Sequence, residues 1–461
     1  MKSKEELREL SHDELLKYIE NLQDNVVQEK PPKNSGNSSI PTGKEINTPK
    51  RNQSTRKKGG KNGGQFGHKG KTLKQSDTPD EIIDIEYNIN NCQKCNYDLS
   101  TILKELKEKR QVLDLDLKDT LKKITQYQSY SKTCPKCGHE NHDNLYPEFV
   151  TPHISYGKNI MAIVVYLNVV HYVSYKRIVQ TLKTMYKIDI SEGTVDNLIK
   201  KASKLSQKEI NKIVSQLELS DIVGIDETGV KVNGARDWHW VFQKQRIAVA
   251  KQAFLENENN TFIVHNESRG TKVIDEHFPD GFVDAIVVHD NYSSYNNLVA
   301  SGEQLCLAHK LRDLNYAIEC DDTKLMKDIK SLLQEAMIDH KEDISLSQRD
   351  ILKQQYEQTF DYLLTRPTIE KSETAKQIKS LIKARDKIFT FLLYPNVPPD
   401  NNGSERAIRN LKVKLKVSQQ FKSTQGAKDY ATLRSIIDTA RKRDLNEFDT
   451  VRDIIGGGNV F

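Results

Sequence analysis

The chain has 461 residues, enough for two to four domains at roughly 100–200 residues each. Its 70 Lys and Arg against 64 Asp and Glu leave a net charge of only +6, so the placement of that excess matters more than its size. The opening residues, Met1-Lys2-Ser3-Lys4-Glu5-Glu6, lack the apolar core of a signal peptide, and the apolar run from Ile160 to Leu167 is far short of the ~20 residues of a membrane span. Six cysteines, four of them in two CxxC pairs, fit a reducing compartment where thiolates bind metal instead of forming disulfides. The composition excludes a disulfide scaffold and a membrane protein, and leaves a soluble, cytoplasmic, multidomain chain with no membrane partner.

Residues 1–30 read as an amphipathic helix, with Ser11 and Glu14 at capping-box spacing and Leu15, Ile19, Leu22 and Val26 on one face. That face is covered either by a second copy in a short coiled coil or by the chain itself. Residues 31–78 are a basic tract; between 31 and 76 eleven Lys or Arg face one acid, Glu45. Such a segment buries too little apolar area to order itself, and its cations, Arg56, Lys57 and Lys58 among them, suit a DNA-binding arm that releases counterions from phosphate. The alternative is a solubilising linker. The stretch Gly63-Gly64-Gln65-Phe66-Gly67-His68 lacks the preceding strand and the Lys-Ser/Thr ending of a nucleotide loop.

Residues 79–150 hold Cys92-x-x-Cys95 and Cys134-x-x-Cys137, a complete four-thiolate shell for one structural Zn²⁺. The 38 residues between the pairs must loop out. A closed shell has no open coordination position, so no catalysis is assigned to it, and His139 and His142 are read as surface residues. Residues 151–216 read as helical. Ser174 to Tyr186 turns Ile178, Val179, Leu182 and Met185 inward; Ser191 caps a second helix carrying Val195, Leu198 and Ile199. Two helices and a tight turn match a helix-turn-helix, in which Thr194, Asn197, Lys200 and Lys201 would face a DNA groove. A hairpin that merely packs is the competing reading.

From residue 217 the pattern changes to strands: Ile222 to Val232 containing Asp226, the turn Asn233-Gly234, a return strand Trp238 to Gln243, and another at Ile247 to Phe254. Phe282 to Val288 reads as a strand buried on both faces that ends in His289-Asp290, and Gln304 to Leu307 as a short strand leading to His309. Ligand sites of open α/β sheets gather at such carboxyl ends. Either aspartate alone is explained by hydrogen bonding. Two on neighbouring strands repel unless a cation lies between them, and Mg²⁺ takes one or two carboxylates plus phosphate oxygens. A third acid comes from Pro398-Pro399-Asp400-Asn401-Asn402-Gly403-Ser404-Glu405, where a helix begins near Gly403. Lys412, seven residues on, shares the face of Glu405, and Arg406, Arg409, Lys414 and Lys416 extend a basic surface for a DNA backbone.

The segments Val223-Gly-Ile-Asp-Glu-Thr-Gly229, His289-Asp-Asn-Tyr-Ser-Ser-Tyr295, Leu305-Cys-Leu-Ala-His-Lys-Leu-Arg-Asp-Leu314 and Pro398-Pro-Asp-Asn-Asn-Gly-Ser-Glu-Arg-Ala407 together resemble the insertion-sequence-66 family of transposases. The resemblance spans nearly the whole chain, with Phe66 standing where the family usually has proline. It implies a multidomain α+β protein: a ribonuclease-H-like α/β catalytic domain at 217–461, a helical insertion at about 317–396, and the zinc and helix-turn-helix-like modules before it. It makes Asp226, Asp290 and Glu405 the catalytic acids, holding two Mg²⁺ (or Mn²⁺) ions that clamp both oxygens of an in-line displacement. The expected reaction cleaves transposon ends and joins their 3′-hydroxyls to target DNA, with His309 and Arg312 orienting phosphate. Expected partners are the duplex DNA of terminal repeats and target, further copies of the chain on that DNA, and small accessory proteins of the element, in a nucleoid-associated setting. The competing classes are a catalytically inactive, transposase-derived DNA-binding protein and a nuclease on the same fold.

Overall fold

The computed structural model describes residues 74–461, apart from 86, 117–120, 143–145, 148–149, 151–153, 245–258 and 296–297. The expected N-terminal helix, the basic arm with Arg56, Lys57 and Lys58, and the expected strand Ile247 to Phe254 lie outside the described residues. The chain divides into two units, whose described parts are 74–305 with Asn396–Phe461, and Cys306–Pro395. Among the described residues no helix is long and apolar enough to cross a membrane.

The first sheet holds β1 (Glu81–Asp84), β2 (Glu105–Asp116), β3 (Leu121–Thr133), β4 (Glu140–His142) and β5 (Ile154–Tyr156). Its order is β1-β3-β2-β5, with β4 paired to β3. The residues separating the two cysteine pairs are thus spent largely on the antiparallel ladder of β2 and β3. β5 corrects the expectation of an all-helical 151–216. Three residues are too few to show a period, and Ile154–Tyr156 takes its conformation from parallel pairing with Gln111–Leu113.

Next come α1 (Lys158–Val165), a π-helical turn at Tyr166–Val170, α2 (Tyr175–Tyr186), α3 (Glu192–Leu205) and α4 (Gln207–Glu218). Ser191 caps α3 as expected, its hydroxyl accepting the Thr194 N–H at 3.0 Å. Lys187, in the left-handed region at φ 55°, ends α2. Ile178 and Leu182 are fully buried, whereas Met185, expected inside, is 67% exposed, because Tyr186, four residues on from Leu182, takes the inward position in the last turn of α2.

The second sheet contains β6 (Ile222–Val232), β7 (Ala235–Lys244), β8 (Thr261–Asn266), β9 (Phe282–His289) and β10 (Ala300–Leu305), with α5 (Lys272–His277) before β9. The order is β10-β9-β6-β7-β8. β6, β7 and β8 form an antiparallel meander, and β9 and β10 run parallel to β6. Asn233 and Gly234, at φ 46° and 86°, supply the two positive dihedrals that a tight two-residue hairpin requires. On one face Trp240, Phe242, Phe262, Phe278 and Phe282 stack into an aromatic core.

The second unit is all helical in its described part: α6 (Leu307–Asp321), α7 (Lys324–Asp339), α8 (Leu346–Leu364), α9 (Glu373–Ala384) and α10 (Thr390–Leu393). It begins at Cys306, earlier than the expected 317, because α6 packs with α7 and α9. The chain then returns to the first unit with α11 (Asn402–Ser418), α12 (Thr424–Lys442) and α13 (Glu447–Ile455).

Among the described strands β8 is the edge of its sheet, a row of backbone groups that must be satisfied or shielded. α12 supplies the partners: Ser435 Oγ accepts the Ile263 N–H at 2.8 Å, and Thr439 Oγ1 accepts the Thr261 N–H at 3.1 Å. Both hydroxyls are fully buried. Ser435→Ala is expected to strand the Ile263 amide and lower stability by about 1–3 kcal/mol, read by urea denaturation. An unchanged midpoint would show that the edge needs no such partner.

Candidate active site

Three carboxylates reach one region of the larger unit from three elements. Asp226 lies in the middle of β6, half-buried, its Oδ1 accepting the Glu227 N–H at 2.9 Å. β6 and β9 pair in parallel with Gly224 opposite Val288, so the same register, carried two residues on, sets Asp226 level with Asp290. Asp290 follows the last residue of β9 and accepts the Tyr292 N–H at 2.9 Å, which holds its loop. Glu405 sits in the first turn of α11. Buried Asn401 fixes that helix start, donating from Nδ2 to the Ile225 carbonyl at 2.7 Å, one residue from Asp226.

Burial raises the Asp226 carboxyl well above the usual range; the charges of Glu227, Asp290 and Glu405 push the same way. Asp226, Asp290 and Glu405, brought together where burial already penalises charge, form a donor set for a hard divalent cation, so these three residues fit such an ion. The Asp226, Asp290 and Glu405 oxygens are spread more widely than the four thiol sulfurs of the cysteine cluster, which all lie within 4.8 Å of one another.

Glu227 was not singled out from the sequence. It is 8% exposed and points to the opposite face of β6 from Asp226, where Arg269 Nε meets it at 2.7 Å and the buried Tyr295 hydroxyl donates to it. Burial, then the charge of Asp290, raises its carboxyl, while Tyr295 and Arg269 work against that rise. Ser294 Oγ donates to the Arg269 carbonyl at 2.8 Å, so the clamp also grips the turn that follows Asp290. His289 packs against Tyr295 and lies 2.8 Å from Glu303. The signal was an acid directly beside Asp226, but its partners are 42 and 68 residues away and no local pattern links them.

The basic positions separate. Arg406, Arg409 and Lys416 on α11 are exposed, and Lys412 is half-buried. Lys414, expected to face DNA, is a correction. It is 8% exposed, its ammonium bonds Asn168 Oδ1 at 3.1 Å and lies over the Tyr430 ring, and burial pushes it down to about 8. Its spacing puts it on the inner side of α11, where it ties the helix to the π-helical turn. On α3, Lys200 pairs with Asp196 at 2.6 Å, and half-buried Lys201 has its ammonium lowered by burial. Neither is the freely exposed groove-facing cation that the sequence suggested. His309 and Arg312, both half-buried, lie on α6 in the helical unit.

The four cysteines converge as expected. Cys92 and Cys137 sulfurs are 3.5 Å apart, as are Cys95 and Cys134. The two knuckles repeat one geometry: Asn96 N–H to the Cys92 carbonyl and Gly138 N–H to the Cys134 carbonyl, both 2.8 Å, with Asn96 and Gly138 at φ 59° and 67°. At Cys92 burial raises the thiol, but the Cys95 and Lys94 N–H groups and the neighbouring thiols outweigh it and pull it down to about 6. At Cys137 the His139 N–H favours the thiolate, while burial and the other thiols push it up to about 12. Amides aimed at sulfur in a four-thiol cluster are what a structural zinc shell uses.

Two outcomes follow. A raised Asp226 pKa means that the native state holds this proton more tightly than the unfolded chain. The associated stability is complete below the ordinary carboxylate range and is lost as pH rises through the raised value. Metal-free Asp226→Asn should therefore melt a few degrees higher than the parent at neutral pH, the gap closing in acid; a lower melting point at pH 7 would contradict the repulsion. Elemental analysis of the purified parent should find one zinc per chain, and Cys134→Ser should lose it. Unchanged zinc content would remove the site.

Comparison with protein families matches residues 153–429 to the family described as Transposase IS66 family. Comparison with curated proteins gives no match. The matched stretch covers well over half of the chain and includes β6, β9 and the Glu405 helix. The chain therefore belongs to the IS66 family of transposases, a membership that implies DNA binding, divalent metal and chemistry of the polynucleotidyl-transferase type.

Proposed function

We propose that the chain cleaves transposon ends and joins the freed 3′-hydroxyls to target DNA, with Asp226, Asp290 and Glu405 as the ligands of two Mg²⁺ or Mn²⁺ ions. The observation that carries this reading is the crowding of acids around Asp226 from three separate elements, an arrangement that repels itself without a cation. Bound there, the ions would supply Lewis acidity to the attacking and leaving oxygens of an in-line displacement. Water attacks the scissile phosphodiester and the P–O3′ bond breaks, leaving a 3′-hydroxyl and a 5′-phosphate; that 3′-hydroxyl then attacks a target phosphodiester, whose own P–O3′ bond breaks to release a target 3′-hydroxyl. No covalent enzyme intermediate is needed, and no Ser or Tyr nucleophile is assigned.

The chain's own residues position the acids and the DNA. Asn401 sets the Glu405 helix against β6, and Glu227 with Arg269 and Tyr295 steadies the turn after Asp290. Arg406, Arg409, Lys412 and Lys416 are placed to meet backbone phosphates, contacts that position DNA without reading its sequence. The strand order β10-β9-β6-β7-β8, with an antiparallel meander and two parallel strands, supports a ribonuclease-H-like catalytic domain. The four-thiol cluster suits one structural Zn²⁺, which would lock the module before the transposase core.

Purified protein, labelled transposon ends and Mg²⁺ or Mn²⁺ give the test. Asp226→Ala, Asp290→Ala and Glu405→Ala should each reduce cleavage at least a thousandfold while end binding in a gel-shift stays within a fewfold. Cleavage that survives any one substitution removes that residue. Binding without nicking by the parent chain under either metal favours an inactive DNA-binding protein, and nicking without strand transfer favours a nuclease.

A further inference from the structure

The face of β6 and β7 that carries Glu227 is roofed by aromatic side chains near α5 but left open toward the Asn233-Gly234 turn. Gly229, Lys231 and Arg236 are exposed there and Trp238 is half-buried. These residues are cross-strand neighbours, Gly229 opposite Trp238 and Lys231 opposite Arg236. A methyl group on Gly229 would meet the Trp238 ring at 3.7 Å and Arg236 Nε at 3.8 Å, so both side chains lie down across the bare glycine. The row continues: the Arg236 guanidinium is 5.9 Å from the Trp238 ring centre, Arg269 is 4.7 Å from the same ring, and Arg269 is 3.5 Å from the Tyr292 ring. Four planar groups, cation and aromatic in alternation, run from near the hairpin end to Tyr292, whose N–H holds Asp290.

The charge of this strip is positive. Glu227 neutralises Arg269, while Lys231 and Arg236 have no acidic partner among the described residues. A basic strip with interleaved rings suits one polymer above others, because phosphates pair with the cations and unpaired bases stack on the planes.

We propose that Lys231, Arg236, Trp238 and Tyr292 form a platform for single-stranded DNA that ends at the loop carrying Asp290. This rests on the proposed reading only for its purpose, since a nick at the transposon end frees one strand to unpair beside Asp290. Bases stack on the exposed Arg236 guanidinium and on the uncovered part of the half-buried Trp238 ring, and Lys231 takes a phosphate. Stacking is indifferent to sequence, so the platform accepts any unpaired strand.

The chain has two tryptophans, Trp238 on the platform and Trp240 fully buried behind it, so intrinsic emission reads the platform directly. Full-length protein with its zinc retained and no added Mg²⁺ or Mn²⁺, at physiological salt, is titrated with oligo(dT) and with a duplex of equal length. Oligo(dT) should quench the emission more strongly than the duplex. Trp238→Ala should weaken oligo(dT) affinity, read by anisotropy of labelled oligonucleotide, roughly 5- to 150-fold, with Trp238→Phe restoring most of it. Arg236→Ala should weaken it several-fold, and the remaining Trp240 emission with far-UV circular dichroism reports that each variant is folded. Unchanged emission at saturating oligo(dT), stronger quenching by duplex, or a folded Trp238→Ala that binds within twofold of the parent would overturn the platform. Because no Mg²⁺ or Mn²⁺ is supplied, a failure of the cleavage reading leaves this outcome unaffected, and a failure here leaves the cleavage assay standing.

Discussion

Like charges brought together in a partly dehydrated place repel, and much of the larger unit can be understood as the framework that holds them there. Asp226 is pressed by burial and by Glu227, Asp290 and Glu405. No local preference would gather these groups, since each would be more comfortable alone in water. The register of β6 against β9 brings the two aspartates level, and a single buried amide, Asn401, pins the helix that brings the glutamate. The cost of the arrangement is met by burial of the aromatic and aliphatic core behind it.

Charge on the two faces of β6 is handled differently. On one side Asp226 stands open to whatever the site binds. On the other, Glu227 is held by Arg269 and Tyr295, though its charge still adds to the pressure on Asp226. The same clamp reaches the turn after Asp290 through Ser294, which couples the meander to the parallel half of the sheet. Arg269 in turn stacks on Trp238 and Tyr292, so the neutralising cation is also part of the surface beside the site.

Cations on α11 follow helix geometry rather than composition. Arg406, Arg409 and Lys416 emerge on the exposed side, while Lys414 turns inward to Asn168 and Tyr430. A run of basic residues on a helix is not one surface: a repeat of 3.6 residues sends some of them into the core, where they serve as ties. The π-helical turn that receives Lys414 also offers the Val169 carbonyl to fully buried Arg434, so this irregular segment is anchored by two buried cations.

Much was legible in the residues themselves, because the signals are local and strong. Period-two alternation around Asn233-Gly234 marks β6 and β7, a continuous apolar run marks β9, the Pro and Asn cluster marks the start of α11, and paired CxxC spacing marks the thiol cluster. Tertiary structure decided what spacing cannot carry. Ile154–Tyr156 became a strand only because β2 offered an edge, and among the described residues the strand that joins β7 on its far side is Thr261–Asn266. Glu227 acquired its partners, and Lys414 lost its solvent, through contacts with residues tens to hundreds of positions away. Periodicity reports which way a side chain leaves its own element; what meets it there depends on how distant segments pack.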